Sequence, residues 1–441
     1  MFDLRGSAFR NCDRVTRRSV LKVGALLWGG FSLPDLLRSR AAAGESTRSQ
    51  PTAVIQIFCG GGPSHIDMYD LKPHAPAEIR GEFREISTSV PGIRICEHLP
   101  LQAEVMDKFA VIRSVQHGTS SHLPAAHQML TGYETGPSPV DNTSPFPGSV
   151  VARLRGSNVE GMPAYVAVPR KVAFGSASYA GAAYSPFITD VEPNAKNFRV
   201  RSLKLEGRMN AERLGGRRNL LASLDTFRRD VDLNGDLAGL DAFYQEAVEM
   251  ITSDRAAKAF DIEKEDPKLR DEYGRTSIGQ NCLLARRLVE AGVTYVTCLS
   301  GGGWDTHFKN FNELKDVSLP RYDRAIATLL KDLHARGLDK RVLVMAFGEF
   351  GRTPRINKEA GRDHWPGAMS VVMGGGGLKV GQMVGSTDSR AAFPATKPHT
   401  PGDVLSTMYH VMGIDPRHEL RDHNGRPLPI LSEGRPIADL V

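Results

Sequence analysis

The chain has 441 residues, 41% of them hydrophobic and 24% charged, with a formal net charge of +6. That length suits a large α/β core with insertions, and no internal repeat or low-complexity tract interrupts it. The charge is concentrated at the start, where residues 1–43 carry eight basic and three acidic side chains, or +5 of the +6; the remainder stands near +1, which gives no support for nucleic-acid binding, and no nucleic-acid partner is expected.

The first 43 residues differ in kind from the rest. Arg17 and Arg18 precede the modest apolar stretch Val23–Leu37, and "RAAAG" then offers the small residues of a cleavage site near Ala43. Gly29, Gly30, Pro34 and Asp35 make the stretch too short and too broken to span a membrane. The order of features predicts a twin-arginine export signal, a periplasmic or secreted destination and no transmembrane span in the mature protein; a basic amphipathic surface helix is the plainer alternative. Beyond it, residues 50–441 are expected to form a single domain.

Ala53–Phe58 is an apolar run, broken only by Gln56, that predicts a buried strand, and "GGGPSHID" (Gly60–Asp67) follows it. His65 and Asp67 stand two apart in this loop. Ser64 lacks the Gly-x-Ser-x-Gly elbow of a hydrolase nucleophile, and the three glycines fail the dinucleotide-binding pattern. Ser120–Gly132 predicts a helix, with Pro124 near its start and Gly132 just past its end. Its first amides form an anion site, with His122 at the entrance; His127, a turn further in, is either at that site or in the core. About residues 198–274 the chain is charged and punctuated by Leu and Arg, which predicts a helical insertion.

Ile278–Gly292 has helical apolar spacing and a terminal glycine, and Val293–Leu299 is rich in strand formers. The next loop, "GGGWDTH", holds Asp305 and His307 two apart, so on an extended backbone both side chains leave one face and can pinch a divalent cation. A turn with an exposed histidine is the alternative. Leu319, Tyr322, Ile326, Leu329, Leu330 and Leu333 form the stripe of an amphipathic helix, after which Arg341–Phe347 predicts a strand covered on both faces. "GEFGRTP" follows with Glu349, a ligand or general base, and Arg352, whose planar fork suits phosphate, sulfate or carboxylate oxygens; a salt bridge from Arg352 to Glu349 or Asp363 is equally consistent. "GRDHW" adds His364 as a ligand and Asp363 as an orienting group or a ligand of a second ion. It precedes the apolar run Met369–Met373 and must fold back over the site.

None of Cys59, Cys96, Cys282 and Cys298 forms a close pair, which argues against a zinc knuckle; Cys59, Cys282 and Cys298 sit in or beside apolar runs, as buried thiols do, although one disulfide is open to an exported chain. In parallel sheets the loops that follow the strands emerge at one edge, so most of these polar segments are expected to converge there.

The twin-arginine start, "GGPSHIDMYDLKP", "HLPAAHQMLTG", "ARRLVEAGV", "GGWDTHFKN", "GEFGRTPRIN", "GRDHWP" and "TMYHVMGIDP" together resemble a large bacterial family of exported proteins, domain of unknown function 1501. That family is similar in turn to the alkaline phosphatase and sulfatase superfamily. The resemblance implies an alkaline-phosphatase-like three-layer α/β/α sandwich with a mostly parallel central sheet. It implies a metal position at Asp305, His307 and His364, with His65, Asp67 or Glu349 completing the shell and Asp363 beside it. The superfamily's metal-binding Asp is replaced by Cys59, its paired Asp and His by Glu349 and Phe350, and its nucleophile position by His122 beside Ser121. The expected function is therefore that of an exported, metal-dependent hydrolase of phosphate or sulfate esters acting through activated water, on a small-molecule or glycan ester, with Glu349, Arg352 and His122 as catalytic residues. The cofactor is a divalent ion whose identity (zinc, manganese or calcium) stays open; a non-catalytic binding protein on the same fold is the alternative.

Overall fold

The computed structural model describes residues 52–135, 142–196, 198–200, 250 and 254–441. The expected signal at 1–43, and residues 201–249 of the expected insertion, lie outside the described residues. Residues 51–441 form one compact unit.

A central sheet of eight strands runs through it. In chain order they are β1 (Ala53–Phe58), β2 (Phe109–Val115), β3 (Tyr165–Val168), β4 (Phe187–Ile188), β5 (Tyr295–Leu299), β6 (Val342–Phe347), β9 (Met369–Gly375) and β10 (Gln382–Val384). A separate ribbon of two short strands, β7 (Gly351–Arg352) and β8 (His364–Trp365), lies between β6 and β9 in sequence. Across the sheet the order is β10-β2-β9-β6-β1-β5-β3-β4. Every neighbouring pair is parallel except those of β9, which runs antiparallel to both β6 and β2.

The alternation of side chains along β1 and β6 explains why both runs are apolar, Gln56 of β1 being the one exception. Ala53, Ile55 and Ile57 join Val342, Val344 and Ala346 in one core, while Val54 and Phe58 join Leu343, Met345 and Phe347 in the other. The first core is capped by α3 (Ser277–Ala291) and α4 (Leu319–Ala335), the second by α1 (His122–Thr131), α2 (Pro147–Arg155) and α5 (Pro401–Val411). Helices thus cover both faces of a mostly parallel sheet, as expected. The ends of α1 and α3 follow their glycines: Gly132 and Gly292 take left-handed backbone, where a Cβ is strained. Cys59, Cys96, Cys282 and Cys298 are buried and free.

β1, β5 and β6 are adjacent and parallel, so the loops after Phe58, Leu299 and Phe347 leave one edge together. The β7–β8 ribbon then brings the "GRDHW" segment back, with His364 opposite Arg352.

Candidate metal centre

Asp305 stands at the middle of the loop cluster, and three imidazoles turn onto its carboxylate. Nε2 of His307 and Nε2 of His364 each lie 3.1 Å from Oδ1, and 2.9 Å from one another. Nε2 of His122, the first residue of α1, approaches the other oxygen, Oδ2, at 3.3 Å. Buried Phe350 forms an apolar floor under two of the rings, at 5.0 Å from His122 and 4.4 Å from His364 between centroids.

The partners of the opposite ring nitrogens assign the tautomers. Nδ1 of His364 faces the carbonyl of Ser120 at 2.8 Å, an obligate acceptor, so that nitrogen carries the proton. Nδ1 of His307 donates to Asp363 at 2.7 Å, and Nδ1 of His122 to Glu349 at 2.5 Å. In the neutral rings all three Nε2 lone pairs therefore point at an anionic carboxylate and, for His307 and His364, at each other. Lone pairs held this close repel unless a proton or a metal ion sits among them. An imidazole whose far N–H is fixed by an oxygen acceptor is the usual state of a metal-ligating histidine. The spacing agrees: tetrahedral ligands about 2.0–2.1 Å from an ion are separated by about 3.3 Å, near the 2.9–3.1 Å edges of this triangle. His122, Asp305 and His364 also form a set whose ligand atoms lie within 4.8 Å of one another. The residues present fit a divalent ion, and a nitrogen-rich donor set suits zinc better than manganese or calcium, which favour oxygen ligands.

The electrostatics match. Burial works against ionisation of Asp305, but the hydrogen bond and charge of Arg352 oppose it, and the pKa falls to about 2. The His307 hydrogen bond likewise lowers Asp363. Glu349 raises His122, chiefly by direct hydrogen bonding, whereas burial lowers His364. Glu349 itself is buried; its carboxylate accepts the Gly61 amide at 2.9 Å, and its backbone carbonyl accepts Nε2 of His117 at 2.6 Å.

Two expectations need correction. Arg352 does not present its fork for substrate oxygens. It is fully buried, donates Nε to Gly62 and Nη1 to Arg362 carbonyls at 2.9 and 3.0 Å, and directs Nη2 to the Gly61 carbonyl and, at 2.6 Å, to Asp305. It holds the loops and the central carboxylate. His65 and Asp67 do not join the cluster either. They lie on a single helical turn, His65–Met68, and two-residue spacing shares a face on a strand but not on a helix. His65 bonds the Ala391 carbonyl through Nε2 at 2.9 Å. Asp67 is clamped by Arg362 at 2.8 and 2.9 Å, by Ser64 at 2.6 Å and by Asn310 at 2.8 Å.

Arg362 is the residue that sequence reasoning missed. Wholly buried, it satisfies Asp67 twice and also the carbonyls of Ile79, Thr353 and Pro354, fixing the segment that carries Asp363 and His364. The arginine immediately before "DH" was its only sequence signal. Trp304, between the loop glycines and Asp305, points into the core, with Nε1 on Ser300 at 2.8 Å and its ring edge on Tyr322. His127 is a core residue held by the Tyr133 carbonyl and Thr143.

A family model described as a protein of unknown function (DUF1501) matches residues 51–441. No curated protein matches the sequence. Among solved structures the chain is similar to Ps i-CgsB, at 11% identity over 83% of this chain and 73% of that one, with a TM-score of 0.35. The PsFucS1 sulfatase from Pseudoalteromonas sp. follows at 13% identity, 85% and 70% coverage and a TM-score of 0.34. The alkaline phosphatase from the Antarctic bacterium TAB5 is similar at 14% identity, 78% and 97% coverage and a TM-score of 0.31. Likenesses of this size leave the chemistry to be argued from the chain's own residues. No helix among the described residues is long and apolar enough to cross a membrane.

Proposed function

The chain belongs to the DUF1501 family, and we propose that it is an exported, divalent-metal-dependent hydrolase of phosphate or sulfate esters. The observation that carries the proposal is the turning of three imidazole Nε2 atoms onto the Asp305 carboxylate, with every Nδ1 proton already committed to an oxygen. Asp305, His307 and His364 would hold the ion, and Asp363 would orient His307. A bound divalent ion supplies Lewis acidity toward an ester oxygen and lowers the pKa of water toward neutrality, which suits a site with no serine or threonine nucleophile among its ligating residues.

The remaining roles belong to the protein. Glu349 holds the Nδ1 proton of His122, which leaves Nε2 free to accept or return a proton at the cluster. The N-terminus of α1, with no side-chain cap, begins at His122 and favours the anionic ester. Arg352 keeps Asp305 ionised and in place. Export through the twin-arginine route rests on Arg17, Arg18 and the stretch that follows them.

One observation favours the second reading, a metal-holding exported protein that binds without turnover. With Arg352 committed to carbonyls and Asp305, no guanidinium fork is offered to substrate oxygens. Aryl phosphate and sulfate esters assayed with the zinc- or manganese-loaded protein separate the two. A hydrolase shows turnover that disappears on chelation and in Glu349→Gln; a binder holds the metal and turns over neither ester class.

A further inference from the structure

We propose that Asn357 is a positioning residue that locks the Asp363–His307 pair; as a role toward a metal this rests on the proposed function, but the lock itself does not. Asn357 is half-buried in the loop joining β7 to β8. Its backbone N–H donates to the Gly361 carbonyl at 2.9 Å, and its Oδ1 accepts the amides of Glu359 and Gly361, both at 2.9 Å. That turn is self-contained and would form with aspartate as well as asparagine. What needs asparagine is the other half of the amide. Nδ2 donates to the His307 carbonyl at 2.8 Å and to Oδ1 of Asp363 at 3.2 Å, the oxygen that receives the His307 Nδ1 proton at 2.7 Å.

A closed triangle results. One amide group binds both the backbone of His307 and the carboxylate that orients its ring. The Asp363 side chain is 53% exposed, and its contacts among the described residues are His307 and Asn357. Without Nδ2 that carboxylate is free to turn to water, and the Nε2 of His307 loses its fixed direction. Close approach makes the geometry possible: a Cβ on Gly361 would strike the His307 carbonyl, so the two segments meet backbone to backbone. Arg362 reinforces them by donating its amide to the Thr306 carbonyl at 2.9 Å.

Asn357→Asp is the discriminating variant, because it preserves the Oδ1 turn and aims a second oxygen at two acceptors. Asn357→Ala removes the turn as well and serves if the charged variant folds poorly. Calorimetric titration of the full chain with zinc should show affinity about 10–100-fold weaker in folded Asn357→Asp, the size of effect usual for groups that orient a ligand. Wild-type affinity in both variants would overturn the proposal. A second readout needs no metal: the histidine ring-proton NMR signal that vanishes in His307→Gln should be present in the wild-type protein and absent from Asn357→Asp. Should the wild-type protein take no zinc, the metal reading fails and this signal alone decides; its persistence in Asn357→Asp sinks the positioning role.

Discussion

Replacing Asp67 by alanine tests whether this acid is a ligand, as its spacing from His65 suggests, or a clamp. In the structure its two oxygens receive Arg362 at 2.8 and 2.9 Å, and Oδ2 also takes Ser64 and Asn310. Both members of the ion pair are buried, with side-chain exposures of 0% for Arg362 and 1% for Asp67. Asp67→Ala thus leaves a guanidinium without its counter-charge and out of water. Breaking one side of a buried pair costs about 3–5 kcal/mol, and two neutral donors lose their acceptor as well. The loss should appear in the denaturant midpoint of protein stripped of metal by a chelator, since the clamp acts without an ion. Asp67→Leu/Arg362→Met, which removes both charges, should regain part of it. A metal-free Asp67→Ala protein as stable as the wild type, but with weakened metal binding, would refute the clamp and restore Asp67 to the ligand shell.

Acid should release the metal in the histidine range. Protons and ions compete for imidazole Nε2, so affinity rises with pH, whereas Asp305, at a pKa of about 2, stays ionised throughout; zinc titrations from about pH 5 to pH 8 check this, and release only in the carboxylate range would contradict it. In the metal-free protein the sign reverses. Glu349 raises the pKa of His122, so their contact contributes stability that is fully present below about pH 6.5 and lost as pH rises through the folded pKa. Denaturant midpoints of wild-type and Glu349→Gln protein should converge at high pH. Turnover in Glu349→Gln should fall by about 10²–10⁴-fold with metal content unchanged, because the variant alters proton handling at His122 and not the Asp305, His307, His364 set; equal turnover would remove His122 and Glu349 from the chemistry.

Much of the fold was legible because its physics is local. A strand covered on both faces must be apolar almost throughout; Val342–Phe347 is so at every position, and Ala53–Phe58 at all but Gln56, whose buried amide accepts from the Tyr295 hydroxyl. α4 shows its stripe because only one of its faces meets the sheet. The direction of β9 was not legible: its run is as apolar as a parallel strand's, and orientation depends on the path of the preceding loop. At the site, the Gly-rich loop after β5 announced Asp305 and His307 because parallel strands send such loops to one edge, whereas Asp363 and His364 reach it only through the β7–β8 ribbon that folds back. His65 and Asp67 misled because their spacing has opposite meanings on a strand and on a helical turn. Arg352 and Arg362 carried no sign that their donors would be used up by carbonyls, since backbone partners leave no pattern in a sequence.

The central claim is that the Asp305 cluster holds a divalent ion, and metal content measures it most directly. Elemental analysis of the mature protein, purified without chelators beside an identically treated Asp305→Ala/His307→Ala variant, should find stoichiometric zinc or manganese in the first and none in the second. Metal-free wild-type protein that also fails to take up either ion on titration would contradict the account and leave the three imidazoles to a purely protonic role.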